Sequence, residues 1–144
     1  MSYTTDLVDG TAALLADAGL GVYRPAGPAY TTTETGIVIG SMPDAPDRVI
    51  CLTPYPVEDT GMAEATTGMQ IRMRAGVDPR QVLAMADGVF DLLDNRSHFR
   101  FGAVLVDLAW RQSEAQLGAD AQGRLEIASN YYLRTVRSTP YAYE

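Results

Sequence analysis

The 144-residue chain contains no lysine: its eleven basic residues are all arginines, set against eighteen acidic ones for a formal net charge of −7. Phosphate backbones are gripped by clustered Lys and Arg, so this balance argues against broad nucleic-acid binding. A single cysteine, Cys51, excludes an intrachain disulfide and any zinc site built from several thiolates. It stands inside the apolar run Val49-Ile50-Cys51-Leu52, where it reads as a small buried hydrophobe. No apolar stretch approaches the ~18 residues a membrane helix needs, so no membrane partner is expected. The start of the chain lacks a basic region and carries Asp6, Asp9 and Asp17, unlike a secretory leader. Synthesis in a cytoplasm, or incorporation into something assembled there, is the expectation that follows.

What is present suffices for one core. Hydrophobic residues make up 47% and charged residues 20%, which rules out wholesale disorder, and the length suits a single domain. The clearest local pattern spans 68–74, where Met69, Ile71 and Met73 alternate with Gln70, Arg72 and Arg74. That is a strand with one buried and one wet face. Asp78 then offers a helix cap, Pro79 suits the first helical position, and Gln81 stands where a capping box takes Gln or Glu. Val82, Leu83, Met85, Ala86, Val89, Phe90, Leu92 and Leu93 give the helix over 79–93 a wide apolar face.

An earlier helix is predicted over 4–18, with Gly19 as its stop. Residues 24–36 read as an extended loop, 37–39 as a short strand, 48–53 as another strand ended by Pro54-Tyr55-Pro56, and 57–66 as a second long loop. Two strands, over about 103–114 and 125–137, close the chain around a glycine-bearing turn at 117–123. The predicted fold class is therefore α+β: one domain over 1–137, with a mostly antiparallel or mixed sheet of about five strands, two helices packed on it, and an extension over 138–144.

Catalytic chemistry finds little footing. His98, the only histidine, lies in Asn95-Arg96-Ser97-His98-Phe99-Arg100 and reads as a solvated connector residue, far in character from the buried Cys51 it would need as a partner. Asp87, Asp91 and Asp94 share one helix face and, with His98, are the best candidate ligands for a hard cation; the wet face of an amphipathic helix has the same spacing. Gly19-Leu20-Gly21 lacks the third glycine and follows a helix, so the dinucleotide reading fails. No catalytic residue, metal site or cofactor is assigned.

An interaction surface is better represented. Arg72 and Arg74 share a strand face, and Arg111, Arg134 and Arg137 lie on the last two strands; neighbouring strands would gather them into an arginine-bearing sheet face. Tyr131, Tyr141 and Tyr143 complete the candidate interface set, arginine and tyrosine being enriched where proteins meet. Charge reversal at Arg74 is expected to break assembly and leave the fold intact. The competing reading of that face is plain solvation.

Laid end to end, the chain resembles a family of tailed-phage minor capsid proteins that act as tail terminators. The resemblance rests on the order and spacing of several segments. They are Leu14-Leu15-Ala16-Asp17-Ala18-Gly19-Leu20-Gly21-Val22-Tyr23-Arg24-Pro25, Thr35-Gly36-Ile37-Val38-Ile39-Gly40, Pro46-Asp47-Arg48 and Leu52-Thr53-Pro54-Tyr55-Pro56. Gln70-Ile71-Arg72-Met73-Arg74, Asp78-Pro79-Arg80, Asp87-Gly88-Val89-Phe90-Asp91-Leu92-Leu93 and Asn130-Tyr131-Tyr132-Leu133 follow. The resemblance implies a structural, non-enzymatic virion protein. It implies a ring, hexameric in such families, that caps the tail tube protein's finished tube and joins it to the head-tail connector or completion protein. DNA would only pass through the lumen, where six chains at −7 give about −42 and repel it. The alternative is a cytoplasmic α+β ligand-binding or regulatory module with a pocket between sheet and helices.

Overall fold

The computed structural model describes residues 2–143. Two helices, α1 (Tyr3–Asp17) and α2 (Pro79–Leu93), accompany seven strands: β1 (Val22–Tyr23), β2 (Gly36–Ile39), β3 (Val49–Asp59), β4 (Glu64–Arg74), β5 (Arg96–Phe101), β6 (Val104–Ala119) and β7 (Leu125–Val136). All seven belong to one mixed sheet in the order β1-β2-β3-β4-β7-β6-β5. The β1–β2 and β2–β3 pairs are parallel and the others antiparallel. The α+β class stands, and the sheet has seven strands where the sequence pattern promised about five.

The two additional strands have physical causes. β1 is only two residues long and carries no periodicity of its own; it is held by pairing Val22 with Gly36 and Tyr23 with Ile37. β5 occupies the stretch that reads as a histidine-bearing connector. Its alternation is masked by positive φ at Asn95 (62°), just before the strand, and at His98 (54°), which has no paired partner in an otherwise unbroken register with β6. The expected long loop over 57–66 is mostly hairpin, because β3 runs through Pro54 and Pro56 to Asp59 and β4 begins at Glu64. Proline is tolerated there because β2 pairs with β3 only as far as Leu52; beyond that residue β3 is an edge strand with no ladder to lose on that side.

Both helices lie on one face of the sheet. The buried set of β4 (Met69, Ile71, Met73) meets Leu7, Val8, Ala12 and Leu15 of α1 and Val82, Ala86, Val89 and Leu93 of α2 in a single core. Tyr3 pins the start of α1 to the sheet, its hydroxyl lying 2.8 Å from Thr67 Oγ1 and 2.6 Å from Thr135 Oγ1. Gly19, at φ 80°, ends α1 in the left-handed conformation that a side chain disfavours. At the other helix Asp78 Oδ1 accepts the Arg80 N–H at 3.0 Å, as its capping position requires. Gln81 does not close a capping box: its Oε1 accepts the N–H of Gly76 at 3.0 Å and so ties the β4–α2 turn instead. Leu83, predicted for the apolar face, is 44% exposed at its margin.

After β7 the chain turns back on the β3–β4 hairpin. Arg137 N–H donates to Ala63 O, Tyr143 N–H donates to Gly61 O at 2.8 Å, and Met62 bridges Tyr143. The limits 1 and 144 of the expected domain and extension lie outside the described residues. Among the described residues no helix is long and apolar enough to cross a membrane.

Candidate functional site

The face of the sheet opposite the helices bears the most distinctive surface. Strand register places Tyr55 of β3 beside Gly68 of β4, Gly68 beside Tyr132 of β7, and Tyr132 beside Trp110 of β6. Directly paired residues project to the same face, so these positions form a row across four strands. Gly68 makes the row continuous: a Cβ there would lie 2.2 Å from the Tyr55 ring, so the ring covers the bare backbone. Trp110 meets Tyr132 edge to face, with ring centroids 5.8 Å apart at 75°. The Tyr55 hydroxyl donates to Asn130 Oδ1 at 3.1 Å, and Asn130 Nδ2 donates to Ser113 Oγ at 3.2 Å. All three rings remain half-buried, with no helix over them. Burial, and after it the neighbouring Tyr132, raise the pKa of Tyr55.

Arginines flank this row, though only some of those expected. Arg72 lies on the open face, held to Glu126 Oε1 through Nε at 2.6 Å and Nη2 at 2.5 Å. Arg134 lies on the same face, opposite Thr66, and is exposed. Arg74 has the same parity but is not a surface residue. At 2% exposure it sits under the turn 42–47, donating to the carbonyl oxygens of Asp47, Asp44 and Pro46. Burial, and then neighbouring Arg124, lower its pKa. Arg111 points to the helix side, where its guanidinium lies 4.2 Å from the centroid of the Phe90 ring. Arg137 stacks at 4.1 Å over Tyr3.

Tyr131 is fully buried between sheet and α2, so it presents nothing to a partner. Tyr141 and Tyr143, at 93% and 80% exposure, stand at the β3–β4 hairpin next to exposed Met62, where Tyr141 shares a shallow cleft with Arg137. The expected arginine face thus contracts to Arg72 and Arg134. Tyr55 and Trp110 lie outside the set that the sequence suggested. For Tyr55 the signal was the alternation Cys51, Thr53, Tyr55, which continues through the prolines once the strand is recognised as an edge; for Trp110 the bulges of β6 left none.

The metal reading finds no geometry. Asp87 and Asp91 face outward from α2, Asp94 accepts the Arg111 N–H at 2.8 Å, and His98 lies on β5. Among the described residues no three His, Cys, Asp or Glu side chains converge. A cleft of about 440 Å³ opens between the 42–47 turn and the start of α2 and is lined by Asp47, Arg48, Asp78, Gln122 and Arg124 among others. It is polar and open, whereas small-molecule sites are usually concave and mostly apolar.

The sheet thus carries both helices on one face and a half-buried aromatic row on the other. The chain belongs to the bacteriophage tail terminator family, whose model, described as "Bacteriophage tail terminator protein", matches residues 14–137. It is a structural virion protein. Among solved structures, it is similar to a chain in the virion of a native gene transfer agent particle. The TM-score is 0.59 at 17% identity, covering 90% of this chain and 91% of that one, a likeness of fold. No curated protein matches it.

Proposed function

We propose that copies of this chain close into a ring, six in number, that caps the finished tail tube and joins it to the head connector. The carrying observation is the open sheet face. Four strands present Tyr55, Gly68, Tyr132 and Trp110 in a row, with Arg72 and Arg134 beside them and, among the described residues, no element of the same chain laid over them. Aromatic residues with arginine at their margin are the composition that protein interfaces concentrate. Family membership supplies the setting, and the gene transfer agent particle is a second phage-like virion in which this fold is used.

In this reading the tail tube protein and the head-tail connector or completion protein are the axial partners. The segment 138–144, a C-terminal extension of the domain 1–137, and the exposed β3–β4 hairpin beside it reach toward one of them. DNA passes through an acidic lumen without being gripped. Synthesis takes place in the cytoplasm of the host bacterium. Catalysis has no part in it.

Light scattering across concentration, with negative-stain images of the same sample and of tail tubes mixed with the chain, tests the proposal. Closed rings of about six subunits, free or on tube ends, are expected for a heterologous interface that closes. A chain that neither self-associates nor binds tubes would refute it.

A further inference from the structure

The charge of this molecule is divided between its two sides. The helices α1 and α2 contain five aspartates (Asp6, Asp9, Asp17, Asp87, Asp91) and one basic residue, Arg80, which is already paired with Asp78 at 2.8 Å. On α2, Val82, Ala86, Val89 and Leu93 are buried against the sheet, so Ala84, Asp87 and Asp91 lie on the opposite, exposed stripe with Leu83 at its margin. Neither Asp87 nor Asp91 enters an ion pair among the described residues.

The open sheet face has the reverse character at its β5–β7 half. Arg134 is exposed there, and Arg100 of β5 projects to the same side, since its neighbours Phe99 and Phe101 turn toward the core. Neither arginine is ion-paired among the described residues. Half-buried Leu108 is paired with Arg134, and half-buried Trp110 lies one row further along β6, on the side of Arg134 away from Arg100.

We infer that the β5–β7 half of the open sheet face of one copy docks on the outward stripe of α2 of the next copy, with Arg100 and Arg134 meeting Asp87 and Asp91 around a contact of Trp110 and Leu108 with Leu83 and Ala84. This inference rests on the ring reading given above and names the surfaces that would make it. Three observations carry it. The unpaired charges are opposite in sign. Each set is adjacent to exposed or half-buried apolar surface that water would leave on contact. And the two sets occupy opposite sides of one subunit, so they cannot meet within a chain but can meet head to tail between chains, the arrangement a ring requires.

Charge reversal tests the pairing. Arg134→Asp and Asp91→Arg are both exposed substitutions that leave the core untouched, and circular dichroism confirms that each variant is folded. Each alone is expected to weaken self-association about tenfold or more, by placing like charges together. The two changes in one chain, or an equal mixture of the two single variants, are expected to restore it; the mixture does so because head-to-tail contacts can alternate. Rings that persist unchanged in both single variants overturn the assignment of these faces and leave the ring itself standing. So does a double variant no better than the singles. A wild-type chain that stays monomeric alone and in the presence of tail tubes overturns the ring, and this inference with it.

Discussion

Arg74 and Arg124 both donate to one carbonyl oxygen, that of Asp44, at 3.3 and 2.7 Å. The two guanidinium groups come from neighbouring strand ends and close on the turn 42–47. Arg74 adds the carbonyls of Pro46, at 2.6 Å, and Asp47, at 2.9 Å; Arg124 adds the carboxylates of Asp47, at 3.1 Å, and Asp120, at 2.9 Å. Two like charges are tolerated side by side because backbone oxygens and carboxylates surround them.

The consequence reverses the expectation for Arg74. Arg74→Glu would set a buried carboxylate against three carbonyl oxygens and is predicted to unfold the chain, since an unpaired buried charge is among the costliest substitutions. Arg124→Ala removes several charge-assisted bonds but leaves mostly exposed carboxylates behind, and a loss of about 2–4 kcal/mol is expected. Urea denaturation measures both. If Arg74→Glu folded normally and lost only assembly, the 42–47 clasp would be irrelevant to stability.

How much of this was legible depends on which force set the structure locally. The β4 alternation of Met69, Ile71 and Met73 and the capping of α2 by Asp78 are properties of short segments, so they could be read directly. The covering of Arg74 is not: its parity in β4 matches that of half-buried Arg72, and only the distant turn 42–47 separates their fates. Pro54-Tyr55-Pro56 looked like a stop because proline ends a central strand, and β3 becomes an edge only through the short reach of β2. The aromatic row requires Tyr55, Tyr132 and Trp110 to align by register across residues far apart in sequence. Bulges in β6, between Val106 and Leu108 and between Arg111 and Ser113, defeat any count along the strand.

Tyr131 gives a test of core chemistry. It is fully buried, its hydroxyl finds no partner among the described residues, and burial raises its pKa. Removing an unpaired buried hydroxyl removes a desolvation cost, so Tyr131→Phe is expected to leave stability unchanged or raise it by up to about 1 kcal/mol. Tyr131→Ala should instead lose about 3–5 kcal/mol through the cavity it creates. Chemical denaturation of the pair separates the ring's packing from its hydroxyl. A Tyr131→Phe chain destabilised by more than about 1 kcal/mol would mean that the hydroxyl is satisfied after all.

The loop 24–36 is predicted to loosen in acid. Arg24 donates to both carboxylate oxygens of Glu34, at 2.8 and 2.6 Å, and Glu34 also accepts the Thr31 N–H. The Arg24 bonds first, then the Thr31 N–H, hold the Glu34 carboxyl at about 2, below its ordinary value. Its folded pKa is depressed, so the contribution is complete above the ordinary glutamate value of about 4.3 and disappears as pH falls toward 2. Thermal melts of wild type and Glu34→Gln should differ at pH 6 and converge as pH approaches 2. A constant difference across that range would detach Glu34 from the acid response.

Trp110 is the only tryptophan, and it lies within the surface proposed for assembly, edge to face with Tyr132. Its emission should therefore report ring formation without a label. As subunits associate, water leaves the half-exposed indole and the emission maximum should move to shorter wavelength, in step with the rise in mass by light scattering. Gly68→Ala supplies the control. A Cβ 2.2 Å from the Tyr55 ring forces that ring off the strand and breaks its hydrogen bond to Asn130. The ring is at the surface and can swing outward, so the fold should survive at a cost of about 1–3 kcal/mol. The displaced ring then obstructs an approaching neighbour, and both the spectral shift and the mass increase should be reduced together. Were mass to rise while Trp110 emission stayed fixed, subunits would be meeting through another surface and the aromatic row would face solvent in the assembled particle.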